Sequence, residues 1–358
     1  MNQYPIHFYR SACLLKKNRG FTLVELMISL VLGLVVIGGV ISVLLANQQS
    51  YRTNQALAEV QDSSRTAFEF LARDIRQAGG TPCGNASSRI VNTVIGGGTG
   101  LLDWTTALKG YDASASLAGD PPVDLDTTGA AGSRAAGPHS DSMRLALVEG
   151  TGISLDGSAK GGQSNSANFK LSQSTTAINP GDIVLVCDPS QATIVQVTNY
   201  NSSNVTVGHN TGNSATPGNC TDQVGFPGPA TCDASTNPTA GTPYWYGTNS
   251  ELAALKSVYW YIGNNSVGGR SLYQVGLSGG ATGTPQEIVR NVTGMDLLYH
   301  LAGSTDFVDA AGVAGNWAQV DAVQITLITQ SSDQRAGTDI QPLTRSFTTT
   351  VTLRNRVN

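Results

Sequence analysis

The sequence predicts an α+β protein, with one long N-terminal helix followed by a domain built mainly from antiparallel strands. Three observations carry this. Residues 21–46 form an apolar run whose only charge is Glu25. From Leu57 to Ala78 apolar residues recur at steps of three and four, the period of one helical face. From Ser142 onward the pattern turns to alternation and short continuous apolar runs, the marks of strands. Helix first and strands after is an α+β order.

The first element is the apolar run. A bilayer takes roughly 20 residues to cross, so residues 21–46 are long enough. A secretory signal has an apolar core of only about 7–15 residues. Arg10, Lys16, Lys17 and Arg19 precede the run with no acid among them. Such a basic flank stays in the cytoplasm and places everything after the span outside. A plain anchor leaves Glu25 unexplained, one turn into the span. A carboxylate at mid-membrane costs about 2.5–3.5 kcal/mol, less near an end, and calls for a partner.

KKNR followed by GFTLVELM, Gly20 to Met27, resembles the signal of type IV prepilins and type II secretion pseudopilins. The resemblance implies that a membrane peptidase cuts after Gly20 and N-methylates Phe21. It also implies that Glu25 neutralises the terminal amine of a neighbouring subunit, since a buried charge is tolerated when paired. On this reading residues 1–20 are a prepilin leader, and 21–46 are the transmembrane half of the N-terminal helix. Residues 47–80 are its amphipathic half, and 81–358 are a periplasmic or extracellular β-rich domain of a pilin-like fold. The leader is longer than the family's usual handful of residues, so Met1–Tyr9 is an extension or an early start codon. Cys13 has no apolar core before it and does not make a lipobox.

The amphipathic half follows. Leu57, Val60, Ser64, Ala67, Phe68, Leu71, Ile75 and Ala78 share one face, with Arg65, Glu69 and Arg73 at i,i+4 steps on the polar side. Gly79-Gly80 and Pro82 are a stop signal. One helix over Phe21–Ala78, 58 residues, would measure about 87 Å. The stripe is too short for a coiled coil. Gly33, Gly38 and Gly39 lower helix propensity in the span. Close packing through small residues accounts for them better than a segment made to stretch.

Residues 81–138 read as a long irregular insertion with one or two strands near Arg89–Ile95. Strands are expected at Met143–Leu147, Asp182–Cys187, Thr193–Val197 and Val205–Val207. Lys256–Ile262 and Ser271–Val275 flank the turn GNNSVGGR as a hairpin. Val289–Leu301 is ambiguous between strand and helix. Gln319–Ile328 and Arg345–Leu353 are two long strands, with Phe347, Thr349, Val351 and Leu353 on one face. Residues 209–244 are a Pro-, Gly- and Asn-rich loop, and a loop of that length needs tying down. Cys83, Cys187, Cys220 and Cys232 form an even set outside the leader. In an oxidising compartment they predict two disulfides with three possible pairings. Cys220–Cys232 with Cys83–Cys187 is preferred because it ties that loop, and the other pairings stay open.

The order of segments extends the resemblance. GDIVLVCDP, a YWYIG–GGRSLYQ hairpin, EIVRNVTGMDLLY and a terminal RSFTTTVTLRN look like the PilW family of minor pilins, in loose matches to core strands. The implied role is structural: starting or capping a type IV pilus that supports twitching motility, adhesion or DNA uptake. Implied partners are other minor pilins, the major pilin, the inner-membrane assembly platform and the prepilin peptidase, with a large tip adhesin as a further candidate. The implied location is the bacterial inner membrane, in a single pass, and then the pilus. One alternative is a J-like pseudopilin of type II secretion. Another is a binding module displayed on the pilus.

Composition and motifs narrow the rest. Charged residues are 13% of the chain, about half the usual share. Net charge is −4, and the chain without its basic leader is more acidic still, which argues against nucleic acid as the main ligand. His7, His139, His209 and His300 are scattered, and no catalytic motif, metal spacing or cofactor motif stands out, so no enzyme is predicted. Asp124-Leu125-Asp126 lacks the downstream acid of a calcium loop and reads as a solvated acidic turn. Tyr244, Trp245, Tyr246, Tyr259, Trp260 and Tyr261 read as strand packing rather than a ligand platform.

Overall fold

Helix α1 runs Leu23–Gln77 in the computed structural model. Described are residues 20–358 apart from 81, 84–88, 99, 105, 115–121, 124, 127, 158–166, 213–214, 234–238, 279, 355 and 357–358. The basic flank, His7, Cys13 and Asp124 therefore lie outside the described residues. The helix stops where Gly79-Gly80 predicts. Gly79 takes φ +70° and donates its N–H to the Ala146 carbonyl. A Cβ there would sit 2.6 Å from that of Ala107, so both the conformation and the close approach need glycine.

The chain divides into two compact units, Met1–Asn54 and Gln55–Asn358, and the division falls within α1. In the first unit the large apolar side chains from Phe21 to Leu45 are exposed on every side of the helix. That is the surface of a segment meant for lipid rather than water. In the second unit α1 buries Ala56, Val60, Ser64, Ala67, Leu71, Ala72, Asp74 and Ile75. The stripe read from the sequence is this face, although Leu57 and Phe68 are only half-buried.

The strands of the second unit are, in order, β1 Ile90–Asn92, β2 Leu108–Tyr111, β3 Leu125–Asp126, β4 Arg134–Ala135, β5 Ser142–Ser154 and β6 Asn168–Lys170. Then come β7 Ile183–Cys187, β8 Ala192–Gln196, β9 Asn199–Asn201, β10 Thr206–Gly208, β11 Glu251–Asn264 and β12 Arg270–Ser278. The last are β13 Ala281–Thr282, β14 Gln286–Arg290, β15 Val292–Leu301, β16 Phe307–Val308, β17 Val320–Gln330 and β18 Thr344–Thr352, with the short helix α2 at Ala310–Val313. β11 is the axis of the largest sheet: β5 pairs along one side, and β7 and then β12 pair along the other. A second sheet has the order β16-β15-β17-β18, and a third β6-β10-β9. The main core lies between α1 and these sheets. Leu71 and Ile75 of α1 meet Met143, Leu145, Trp260, Leu272, Leu297, Ile325 and Val351 there.

Several expectations sharpen. The hairpin flanking GNNSVGGR is β11–β12, and β11 begins five residues before the expected Lys256. Val289–Leu301 resolves into strand: β14 and β15 meet at Asn291, whose φ of +62° turns the chain between them. Val205 is not in a strand. It sits in a turn at φ +50°, and β10 begins one residue later. The stretch 81–138 holds more structure than expected, including β2, whose Leu108 and Tyr111 are buried.

Candidate functional site

The N-terminus of α1 is closed by its own side chains. Thr22 Oγ1 accepts the Glu25 backbone N–H at 3.2 Å, while Glu25 Oε2 accepts the Thr22 N–H and hydroxyl, each at 3.1 Å. This is a reciprocal capping box, and it satisfies two of the N–H groups a helix end leaves orphaned. The T-x-x-E spacing ahead of an apolar run announces it in the sequence, but Thr22 escaped the sequence reading, which treated Glu25 alone. Both bonds use Oε2. A carboxylate offers about four acceptor positions, so Oε1 can take a further donor without breaking the cap. Phe21, which precedes the cap, is exposed.

Two other carboxylates of α1 fix its lower-polarity face to the sheets. Asp74 is buried, and its Oδ2 accepts Trp260 Nε1–H and Gln274 Nε2–H, each at 3.0 Å. Arg73 Nε lies 3.4 Å from Oδ1. Burial pushes the Asp74 carboxyl above its ordinary range, and the Trp260 bond and the Arg73 charge work against that rise. Glu59 accepts the Ser332 hydroxyl at 2.9 Å and Asn291 Nδ2–H at 3.1 Å. The sequence reading missed both. An acid at a helical step from the apolar stripe is the signal for Asp74, since a charge is kept on such a face only with partners.

Residues 15–41 match the prokaryotic N-terminal methylation motif, and residues 259–345 match type IV pilus-assembly protein W. The two matches support a type IV minor pilin of the PilW family. Neither a curated protein nor a solved structure matches the chain significantly. The methylation motif contains Gly20, Phe21, Thr22 and Glu25. The PilW region runs from mid-β11 into β18 and contains the partners of both bracing carboxylates: Trp260 and Gln274, Asn291 and Ser332. The PilW match therefore covers part of the bed on which the second half of α1 lies, and β2 and β5 supply much of the rest through Leu108, Met143, Leu145 and Leu147.

Outside the PilW match the domain is held differently. Disulfides join Cys83 to Cys187 and Cys220 to Cys232. The second closes the 209–244 loop, and Asn219 threads that loop into the sheet through bonds with Gln196. Asp126 organises an exposed turn, accepting the Thr128 hydroxyl at 2.6 Å, the Thr128 N–H at 2.7 Å and the Ala130 N–H at 2.7 Å. Those bonds, the Thr128 hydroxyl first, hold its carboxyl well below the usual range. His209 is buried against Phe169, and His139 reaches into the matched region to contact Asp296 at 2.7 Å; within that region His300 contacts Asp321 at 2.6 Å. Among the described residues no group of three His, Cys, Asp or Glu is placed to hold a metal. Tyr246, Tyr259, Trp260 and Tyr261 are buried as packing residues, and Trp245 is exposed.

Proposed function

We propose that this chain is a prepilin, cut between Gly20 and Phe21, N-methylated on Phe21, and assembled as a minor pilin that helps to start or cap a type IV pilus. In this reading residues 1–20 are the leader and 21–46 cross the inner membrane once. Residues 47–80 carry the helix into the domain, and 81–358 form the periplasmic domain that enters the pilus. The observation that carries it is the order of matches, a methylation motif on the apolar start of α1 and a PilW region folded around the end of the same helix. The PilW match favours the pilus over the secretion pseudopilin. Its partners are then the other minor pilins, the major pilin, the assembly platform and the prepilin peptidase, and the pilus serves motility, adhesion or DNA uptake.

Glu25 pairs with the Phe21 amine of a neighbouring subunit through the oxygen that the capping box leaves over. Glu25→Ala in cells lacking the native copy tests this. Membrane level and leader cleavage stay normal, because losing a carboxylate does not hinder insertion. Piliation and recovery in sheared pili fall, because the neighbour's amine is left buried and unpaired, a loss of about 3–5 kcal/mol for a broken buried pair. Wild-type recovery of the variant in sheared pili would refute the pairing.

A further inference from the structure

β18 is an edge strand unlike the others. Its nine residues pair with β17 without a register shift, from Thr344 opposite Gln330 to Thr352 opposite Ala322. Among the described residues β1, β2, β6, β9, β13, β14 and β16, which also have an open side, are two to five residues long. The Leu353 N–H bonds the Asp321 carbonyl. The alternation of an antiparallel ladder then turns the backbone groups of Arg345, Phe347, Thr349 and Val351 toward β17. Those of Thr344, Ser346, Thr348, Thr350 and Thr352 face the open side. Among the described residues the one bond to that row is local, from Arg345 Nη1 to the Thr344 carbonyl at 2.9 Å. All five open residues are exposed, and all five carry hydroxyls.

Exposed edges are ordinarily guarded by prolines, bulges or charges. β18 has no proline and no bulge, and its single charge, Arg345, sits near one end on a residue whose backbone faces inward. The strand is also complementary to itself. Run antiparallel about Thr348, it sets Thr348 opposite Thr348, Ser346 opposite Thr350 and Thr344 opposite Thr352. On the other face Phe347 meets Thr349 and Arg345 meets Val351. No like charges oppose each other, and hydroxyl pairs and aromatic with β-branched pairs are favourable across strands. The Thr348–Thr326 hydroxyl contact, 2.9 Å, already continues the hydroxyl row onto β17.

We infer that β18 is a self-association edge, at which two copies of this chain pair antiparallel about Thr348 into one continuous sheet. The test uses detergent-extracted full-length protein with Cys13→Ser, so that the four remaining cysteines are those in disulfides. Thr348→Cys puts two thiols on the two-fold axis, with Cα atoms about 5.5 Å apart, within disulfide range. Thr344→Cys puts them at opposite ends of the pairing. Thr348→Pro removes an N–H that β17 does not use, as an edge position tolerates. The expected result is a covalent dimer from Thr348→Cys on mild oxidation and none from Thr344→Cys. Light scattering should show a dimer lost in Thr348→Pro at an unchanged thermal midpoint. No covalent dimer from Thr348→Cys, equal cross-linking at both positions, or cross-linking only to a different polypeptide overturns the inference.

Discussion

Glu25 and Asp74 show what a carboxylate does on one helix in two settings. Glu25 stands among exposed apolar side chains and is held by Thr22 from its own first turn. Asp74 is buried and held by residues some two hundred positions away. The first kind of partner is legible in a sequence, because T-x-x-E is a local spacing, and the second is not, because only the fold brings Trp260 and Gln274 to the helix. Asp141 is a third case. Burial pushes its carboxyl up to about 6, with the charges of Asp296 and Asp112 adding to the rise and the Leu297 N–H opposing it. Its folded pKa thus lies above the unfolded value. The folded state holds the proton more tightly, so the stability from this group is full below the unfolded pKa and is lost as pH rises through about 6. Asp141→Asn removes that slope. Melting curves of wild type and variant at pH 4 and pH 7.5 should show the variant gaining relative to wild type at the higher pH. A gap that does not move with pH would count against the burial of this charge.

At the scale of elements, α1 docks against the sheets through apolar contacts and through buried polar bonds. Leu71 and Ile75 supply apolar contact, and Asp74 supplies the directional bonds that set the helix's rotation against β11 and β12. Asp74→Ala leaves the buried Trp260 donor without its acceptor, which costs about 1–3 kcal/mol, and removes the partner of the half-buried Gln274. Asp74→Asn keeps one acceptor oxygen and loses less. Denaturant unfolding followed by tryptophan fluorescence should place the midpoints in the order wild type, Asn, Ala, and equal midpoints would show that the bonds do not brace the helix. The helix, the β11–β12 hairpin and the two long strands β17 and β18 were legible because each has a strong local period. β2, β6 and β9 were not, since three or four residues carry no period and each is defined by its neighbour across the ladder. The ambiguity at Val289–Leu301 was of the same kind, and pairing with β12 and β17 resolves it.

For the whole molecule, the two ends of the chain were the readable parts. The apolar start is a one-dimensional signal, and the β-rich region after Tyr259 has long strands with clear alternation, and these are the regions that match known families. The middle, 81–250, depends on long-range ties such as the Asn219 bonds, which a sequence does not display. The disulfides are the exception: Cys220 and Cys232 lie only 12 apart in one loop, and Cys83 and Cys187 are the two of the even set that remain, so the preferred pairing is the one the fold has. The central claim is that this chain is processed as a prepilin and enters a pilus. The measurement that tests it most directly is mass spectrometry of the N-terminal peptide of this protein recovered from sheared pili. The predicted result is a peptide beginning at N-methylated Phe21. A peptide retaining residues before Gly20, one beginning after Ala46, or absence of the protein from pili of a strain that expresses it would contradict the account.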